Sequence, residues 1–117
     1  MSSNCLMFSW KKSVPGRERI GATHFNEFVG YLNELQKKGD VDAFEPFLLF
    51  PNGEGPSGFF LIRGSGEKLA QVMSTPEWQS HVMRAMMHLE NPALVQGVCG
   101  NGVAQRMELW TSLIPEQ

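Results

Sequence analysis

Residues 69–78 read Leu69-Ala70-Gln71-Val72-Met73-Ser74-Thr75-Pro76-Glu77-Trp78, and this stretch contributes most to the predicted fold. Its first half has apolar side chains at the spacing of one helix face, which predicts a short helix opening at residues 65–67. A second helix follows, because Thr75 can cap it, Pro76 fits its first position and Glu77 favours the positive end of its dipole. We expect this second helix to extend to about residue 90 and to bury Trp78, Val82, Ala85, Met86 and Leu89.

An amphipathic helix is also predicted earlier in the chain, from near Thr23 to Gly39. Thr23 is the expected N-cap, and Gly39 suits the residue that follows a helix end. Apolar side chains recur at intervals of three and four residues along one face of this segment: Phe25, Phe28, Val29, Leu32 and Leu35.

Four short segments rich in apolar and aromatic residues are predicted to be strands: residues 5–12, 43–50, 58–63 and 93–99. A C-terminal helix is predicted from the spacing of Val103, Met107, Trp110 and Ile114. The resulting order, β-α-β-β-α-β followed by a helix, is that of a ferredoxin-like split βαβ sandwich of the α+β class. We expect residues 1–117 to form this single domain.

The predicted strands have apolar side chains on both faces of the sheet. In the first strand, Leu6, Phe8 and Trp10 point one way, whereas Cys5 and Met7 point the other. Two helices can cover one face, and an exposed apolar surface on the other would be unfavourable for a monomer. The second face is therefore covered either by a second copy of the chain or by the C-terminal helix, and a homodimer through the sheet faces is favoured.

The order of elements, the doubly apolar strands and the stretch 69–78 resemble the dimeric α+β barrel superfamily over residues 5–99. The resemblance implies a homodimer whose facing sheets enclose a cavity. Members of that superfamily include cofactor-free monooxygenases, isomerases, dechlorinating enzymes and haem-handling proteins, and no motif here identifies one subfamily.

Composition excludes several classes of protein. Ten basic and twelve acidic residues give a formal charge of -2, so no electrostatic attraction to nucleic acid is expected. No apolar run approaches the roughly 20 residues of a membrane-spanning helix, and the apolar stretch 5–10 is too short for a secretory signal. With two distant cysteines and no disulfide framework, we expect a soluble, reduced, cytoplasmic protein.

His24 is the candidate catalytic residue, a general base at the start of the first helix whose N-terminus would lower its pKa. Arg17 and Arg63 are candidates to bind a carboxylate or steady developing negative charge. Trp10 and Phe60 are the candidate aromatic contacts for a ligand. For His24 and Arg63 the competing interpretations are a surface histidine and an ordinary salt bridge.

Other polar patterns favour no site. Glu77, His81, Arg84 and His88 share one stripe of a helix, which is typical of a solvated face. The two histidines are seven residues apart, and metal-binding pairs on a helix are three or four apart, so no metal site is predicted. Cys99 has no neighbouring base and is interpreted as a packed thiol. No cofactor is expected.

Two functions remain open at this point. The first is a binding or interaction domain without catalysis, whose cavity holds a small apolar ligand or is filled by side chains. The second is a cofactor-free enzyme acting on a small apolar carbonyl or phenolic substrate, with His24 as the base. An apolar pocket containing an imidazole and an arginine would favour the enzyme.

Overall fold

The structure is a computed structural model that describes residues 3–116. Within this range the elements in chain order are β1 (Cys5–Trp10), β2 (Lys12–Ser13), α1 (Glu18–Lys38), β3 (Ala43–Leu48), β4 (Gly58–Arg63), α2 (Gly66–Met73), α3 (Pro76–His88), β5 (Leu89–Glu90), β6 (Ala93–Gly97) and α4 (Asn101–Ser112). None of the described helices is both long enough and apolar enough to cross a membrane.

The main sheet has four antiparallel strands in the order β3-β4-β1-β6, and β2 pairs separately with β5. In the centre of the sheet Phe8 lies opposite Phe60 on one side and Leu94 on the other. This order confirms the predicted ferredoxin-like α+β fold. The sheet of a single chain is open and does not close into a barrel.

The core lies between one face of this sheet and the helices α1 and α3. Leu6 and Ile62 from the strands and Leu32 from α1 are almost completely buried there, at 0%, 1% and 0% exposure. Trp78 anchors α3 in the same cluster. Burial of these apolar side chains is the main force that holds the two helices on the sheet.

The helix ends agree with the sequence in three places and differ in one. Ser65 and Thr75 accept hydrogen bonds from the backbone N–H groups of Lys68 and Trp78, so Thr75 is the predicted N-cap and Ser65 caps α2 where the sequence predicted that helix to open. Gly39 ends α1 with φ of +81°. The predicted N-cap Thr23 is wrong, because α1 begins five residues earlier, at Glu18.

The other face of the sheet is only partly covered within the chain, where Cys5 and Ser9 are buried. Met7, Leu61, Phe47 and Phe59 point to this face by strand alternation, and none of the four is fully buried. Helix α4 contains no buried residue and does not cover this face. We call the surface formed by these four side chains the free face.

The chain is less compact than a folded domain of its length. Its radius of gyration is 16.2 Å, compared with about 13 Å expected from chain length. The C-terminal helix contributes exposed apolar residues, including Trp110 at 60% exposure. On α3, Met86 is 63% exposed, so its predicted burial is wrong; the apolar arc of α3 is wider than the surface that the sheet and α1 cover.

Candidate functional site

A cavity of about 420 Å³ lies between the sheet and the helices α1 and α3, near the Trp10 end of β1. Its volume falls within the range typical of small-molecule sites. Five aromatic side chains form much of its wall: Phe8, Trp10, Phe25, Phe28 and Phe60. The resemblance placed a cavity between the sheets of two subunits. This cavity is instead inside one subunit, because helices and not a second sheet face the Phe8 side of β1.

Three histidines also line this cavity and form a hydrogen-bonded chain. His24 Nδ1 lies 2.8 Å from His88 Nε2, and His24 Nε2 lies 2.9 Å from His81 Nδ1. His24 comes from α1, whereas His81 and His88 both come from α3. We call this arrangement, in the order His81–His24–His88, the histidine chain.

The spacing of residues on α3 explains why the histidine chain forms. Seven residues are about two turns of α3, so His81 and His88 lie on the same face roughly 10 Å apart. A single imidazole carries its two nitrogens on separate edges, so His24 can fill the space between them and bond to both. The interval that is too long for a shared metal ion therefore suits an inserted third imidazole.

Two interpretations from the sequence are wrong here. His24 and His88 are only 4% and 5% exposed, so His24 is not a surface histidine and the stripe on α3 is not wholly solvated. Sequence periodicity correctly predicted that His81 and His88 lie on one face of α3, but their shared partner, His24, belongs to α1. The histidine chain therefore depends on the packing of α1 against α3, which the local sequence pattern does not show.

The two hydrogen bonds restrict where the protons lie. In a neutral chain each bond needs one proton, so His81, His24 and His88 are either all protonated at Nε2 or all protonated at Nδ1. A cationic His24 could donate both bonds. Burial makes that cation costly, and a neutral chain therefore has two arrangements that differ in all three rings.

Burial and positive charge lower the pKa values of the histidine chain. The pKa of His24 falls to about 4, mainly through burial and then through the nearby Arg84 guanidinium. Burial and Arg84 also lower the pKa values of His81 and His88. The direction agrees with the sequence prediction for His24. Its predicted cause is wrong, because His24 lies seven residues inside α1 rather than at its N-terminus.

Arg84 is itself paired with an acidic side chain of α1. Its guanidinium lies 2.8 Å from a carboxylate oxygen of Glu27, which links α3 to α1 beside the histidine chain. The hydrogen bond from Arg84 lowers the pKa of Glu27. This pair is partly exposed, so its effect on the free energy of unfolding is small.

His88, at the inner end of the histidine chain, has an unpaired ring nitrogen. Among the described residues, His88 Nδ1 is the one buried side-chain nitrogen or oxygen without a hydrogen-bond partner. A Cβ atom added at Gly21 would lie 3.3 Å from this nitrogen and 3.5 Å from Ser13 Oγ. The absence of a side chain at Gly21 therefore leaves room for the His88 ring against α1.

The geometry of the histidine chain does not suit a metal ion. His24 directs opposite edges of its ring to its two partners, so the three rings do not converge on one point. In the described part of the chain, no group of three or more His, Cys, Asp or Glu side chains is placed to hold a metal.

The structure brings some of the predicted site residues together and separates others. His24, Trp10 and Phe60 all line the cavity. Arg17 is exposed and donates a hydrogen bond to the carbonyl oxygen of Met87, so it does not form part of the cavity wall. Arg63 lies at the far end of β4, opposite Cys5, and also does not line the cavity.

The cavity wall carries little charge. Its one formally charged residue is Glu18, whose carboxylate accepts a hydrogen bond from the backbone N–H of Gly16. The remaining wall is aromatic, aliphatic or neutral polar. An arginine in the pocket, which would have favoured the enzyme, is not found among the described lining residues.

The pKa values predict a pH-dependent stability. Above pH 6.5 the histidines are neutral in both states and the folded chain keeps its full stability. Between pH 6.5 and about 4 the unfolded chain binds more protons than the folded chain, so the free energy of unfolding falls as pH decreases. The expected slope is about 1.4 kcal/mol per pH unit for each proton by which the two states differ. Chemical denaturation at a series of pH values measures it.

His24→Gln is the matched variant for this measurement, since it keeps a hydrogen-bonding side chain that does not titrate. Its free energy of unfolding should depend less steeply on pH in the same window, whatever its absolute stability. Equal slopes for the variant and the wild type would contradict the assignment of a buried neutral His24.

Comparison with known proteins identifies the fold and no family. No protein-family model matches the chain, and no curated protein sequence matches it. A crystal structure of a dimeric protein of unknown function with a ferredoxin-like fold, from Bacteroides fragilis NCTC 9343, is similar with a TM-score of 0.58. The match covers 79% of this chain and 91% of that one at 18% sequence identity, which supports the shared fold alone.

Proposed function

We propose that this protein binds a small, largely apolar molecule in the cavity between its sheet and the helices α1 and α3. The observation that carries the proposal is an aromatic cavity of about 420 Å³ whose wall also holds the histidine chain. Apolar walls with a few converging polar groups are typical of small-molecule sites. Of the sequence candidates, Trp10 and Phe60 are the proposed aromatic contacts.

The size and chemistry of the wall favour a ligand with a flat ring system. Trp10 packs against both Phe25 and Phe60, with ring centroids 6.3 and 5.9 Å apart. Offset and edge-to-face contacts with such rings favour aromatic ligands beyond the effect of buried area. Naphthalene is a suitable probe because it offers two fused rings and no polar group.

A cavity-blocking variant tests the proposal. Ala22 is an exposed residue of α1 that lines the cavity, so Ala22→Trp should obstruct it without disturbing the core. Naphthalene at ten times its dissociation constant should stabilise the wild type by about 1.4 kcal/mol and raise its Tm by a few degrees. The Ala22→Trp variant should show no such shift.

The matched control is Asn33→Trp, which adds the same side chain at an exposed position of α1 away from the cavity. It should respond to naphthalene as the wild type does. If naphthalene and its derivatives leave the Tm of the wild type unchanged, or if Ala22→Trp responds equally, the proposed binding site is wrong.

We also propose that two copies of the chain associate through their free faces. The chain exposes 7875 Å², about 1,500 Å² more than a folded monomer of its mass. The exposed apolar side chains of α4 contribute to this excess, and a standard interface would bury about 800 Å² of it on each partner. The dimeric state of the Bacteroides fragilis protein is consistent with such an association.

A charge introduced on the free face tests the dimer. Met7 lies in its central row, between Leu61 and Val95 on the neighbouring strands. Met7→Arg should convert a dimer into a monomer in sedimentation equilibrium at micromolar concentration, because burying unpaired guanidinium groups in the interface is costly. Asn33→Arg on exposed α1 should remain dimeric. A monomeric wild type would overturn the proposal.

A second candidate function is cofactor-free proton transfer on a carbonyl or phenolic substrate. The observation that favours it is a set of imidazoles that line the cavity and whose lowered pKa values keep them neutral, and so able to accept a proton, at neutral pH. Both nitrogens of His24 are engaged, so His24 could act as a base only through a neighbouring histidine.

Deuterium exchange tests this second candidate. If the site abstracts protons, the protein should accelerate exchange of the α-hydrogens of phenylacetone with deuterated water, as measured by mass spectrometry. His24→Gln should lower that rate while phenylacetone binding persists. Exchange at the buffer rate in the presence of bound phenylacetone would exclude this function and leave the binding proposal intact.

A further inference from the structure

The histidine chain leaves one nitrogen free for a ligand. Of the six ring nitrogens, four are used in the two bonds within the chain, and His88 Nδ1 is buried. His81 Nε2 has no partner among the described residues and does not belong to the buried unpaired atoms, so water reaches it. His81 also lines the cavity. Its Nε2 is therefore the nitrogen of the histidine chain that remains available to a ligand.

We propose that His81 Nε2 hydrogen-bonds the polar group of the bound ligand and that this ligand is a neutral ring compound with a hydroxyl or carbonyl group. His24 and His88 are positioning residues that couple the tautomer of His81 to their own. This inference rests on the proposed binding function and names the chemistry of the same site. It reassigns the direct polar contact from His24 to His81.

The packing around His81 holds its ring in one orientation. Its plane is within 9° of that of His24, to which it is hydrogen-bonded at 2.9 Å. Tyr31 and Phe28 lie against it with centroid distances of 4.6 and 5.3 Å. An imidazole held on several sides gives a hydrogen bond of defined direction, which lowers the entropic cost of ordering the site on binding.

The tautomer of His81 is coupled through His24 to the tautomer of His88, at the inner end of the histidine chain. When all three rings are protonated at Nδ1, His81 Nε2 offers a lone pair and accepts a hydrogen bond from a ligand hydroxyl. When all three are protonated at Nε2, His81 offers an N–H group to a ligand carbonyl. A change from one to the other requires His24 and His88 to change as well.

Among the described residues no cationic side chain lines the cavity, which disfavours an anionic ligand. Glu18 is acidic, and Arg84 is already paired with Glu27 at 2.8 Å. Arg17 is held against Met87, outside the cavity wall. A carboxylate or phosphate would enter an apolar space without a counter-charge, whereas a hydroxyl or carbonyl needs only one neutral partner.

Three probes of the same ring size test the inference: naphthalene, naphthol and naphthoate. One neutral hydrogen bond contributes about 0.5–1.5 kcal/mol, so naphthol should bind roughly 2- to 12-fold more tightly than naphthalene. Naphthoate should bind more weakly than naphthalene. Dissociation constants from isothermal titration of the full chain give these ratios.

His81→Phe keeps a ring of similar shape and removes the hydrogen bond. It should abolish the advantage of naphthol over naphthalene, measured as the ratio of the two dissociation constants in the same variant. In the wild type, naphthol should also shift the ¹⁵N resonance of His81 Nε2 more than naphthalene does. His88→Phe removes one of the two coupled bonds and should change the tautomer ratio of His81 by ¹⁵N NMR.

The outcomes separate the two proposals. If none of the three probes binds, the proposed binding function fails. If naphthalene binds but naphthol has no advantage, or the advantage survives His81→Phe, or naphthoate binds most tightly, the inference about His81 and neutral ligands is wrong while the binding site stands. An unchanged tautomer ratio of His81 in His88→Phe would overturn the positioning role of His88.

Discussion

The hydrogen bonds that His24 makes with His81 and His88 impose the main chemical constraint on this protein. Three imidazoles share two bonds in a largely apolar space, beside an arginine whose charge disfavours a further cation. Neutral rings satisfy both bonds only when all three carry the proton on the corresponding nitrogen. The site therefore behaves as one unit with two proton arrangements rather than as three independent bases.

The fold places this unit where it can meet a ligand. The large aromatic residues of β1 and β4 form the floor of the cavity, and α1 and α3 hold the histidines above it. The ion pair between Glu27 and Arg84 joins the same two helices and keeps the only nearby cation on α3 occupied. Aromatic walls, a neutral hydrogen-bonding group and the lack of a counter-charge together select neutral ring compounds.

Local sequence patterns predicted the elements well, because capping, glycine termination and side-chain spacing act over a few residues, as at Ser65, Thr75 and Gly39. They also indicated His24, Trp10 and Phe60, which line the cavity. They failed for His81 and His88, because the ring that pairs with both comes from α1, 57 and 64 residues away in sequence. Arg63 shows the opposite limit: its residue type suits an anion, but strand register places it at the other end of β4.

The protonation state of the three histidines tests the central claim most directly. Long-range ¹H–¹⁵N NMR of the histidine-labelled protein at neutral pH reports the charge and tautomer of each ring. The account predicts three neutral rings that share one tautomer, with no imidazolium signal from His24, His81 or His88. A protonated ring, or neutral rings protonated on non-corresponding nitrogens, would contradict a continuous histidine chain.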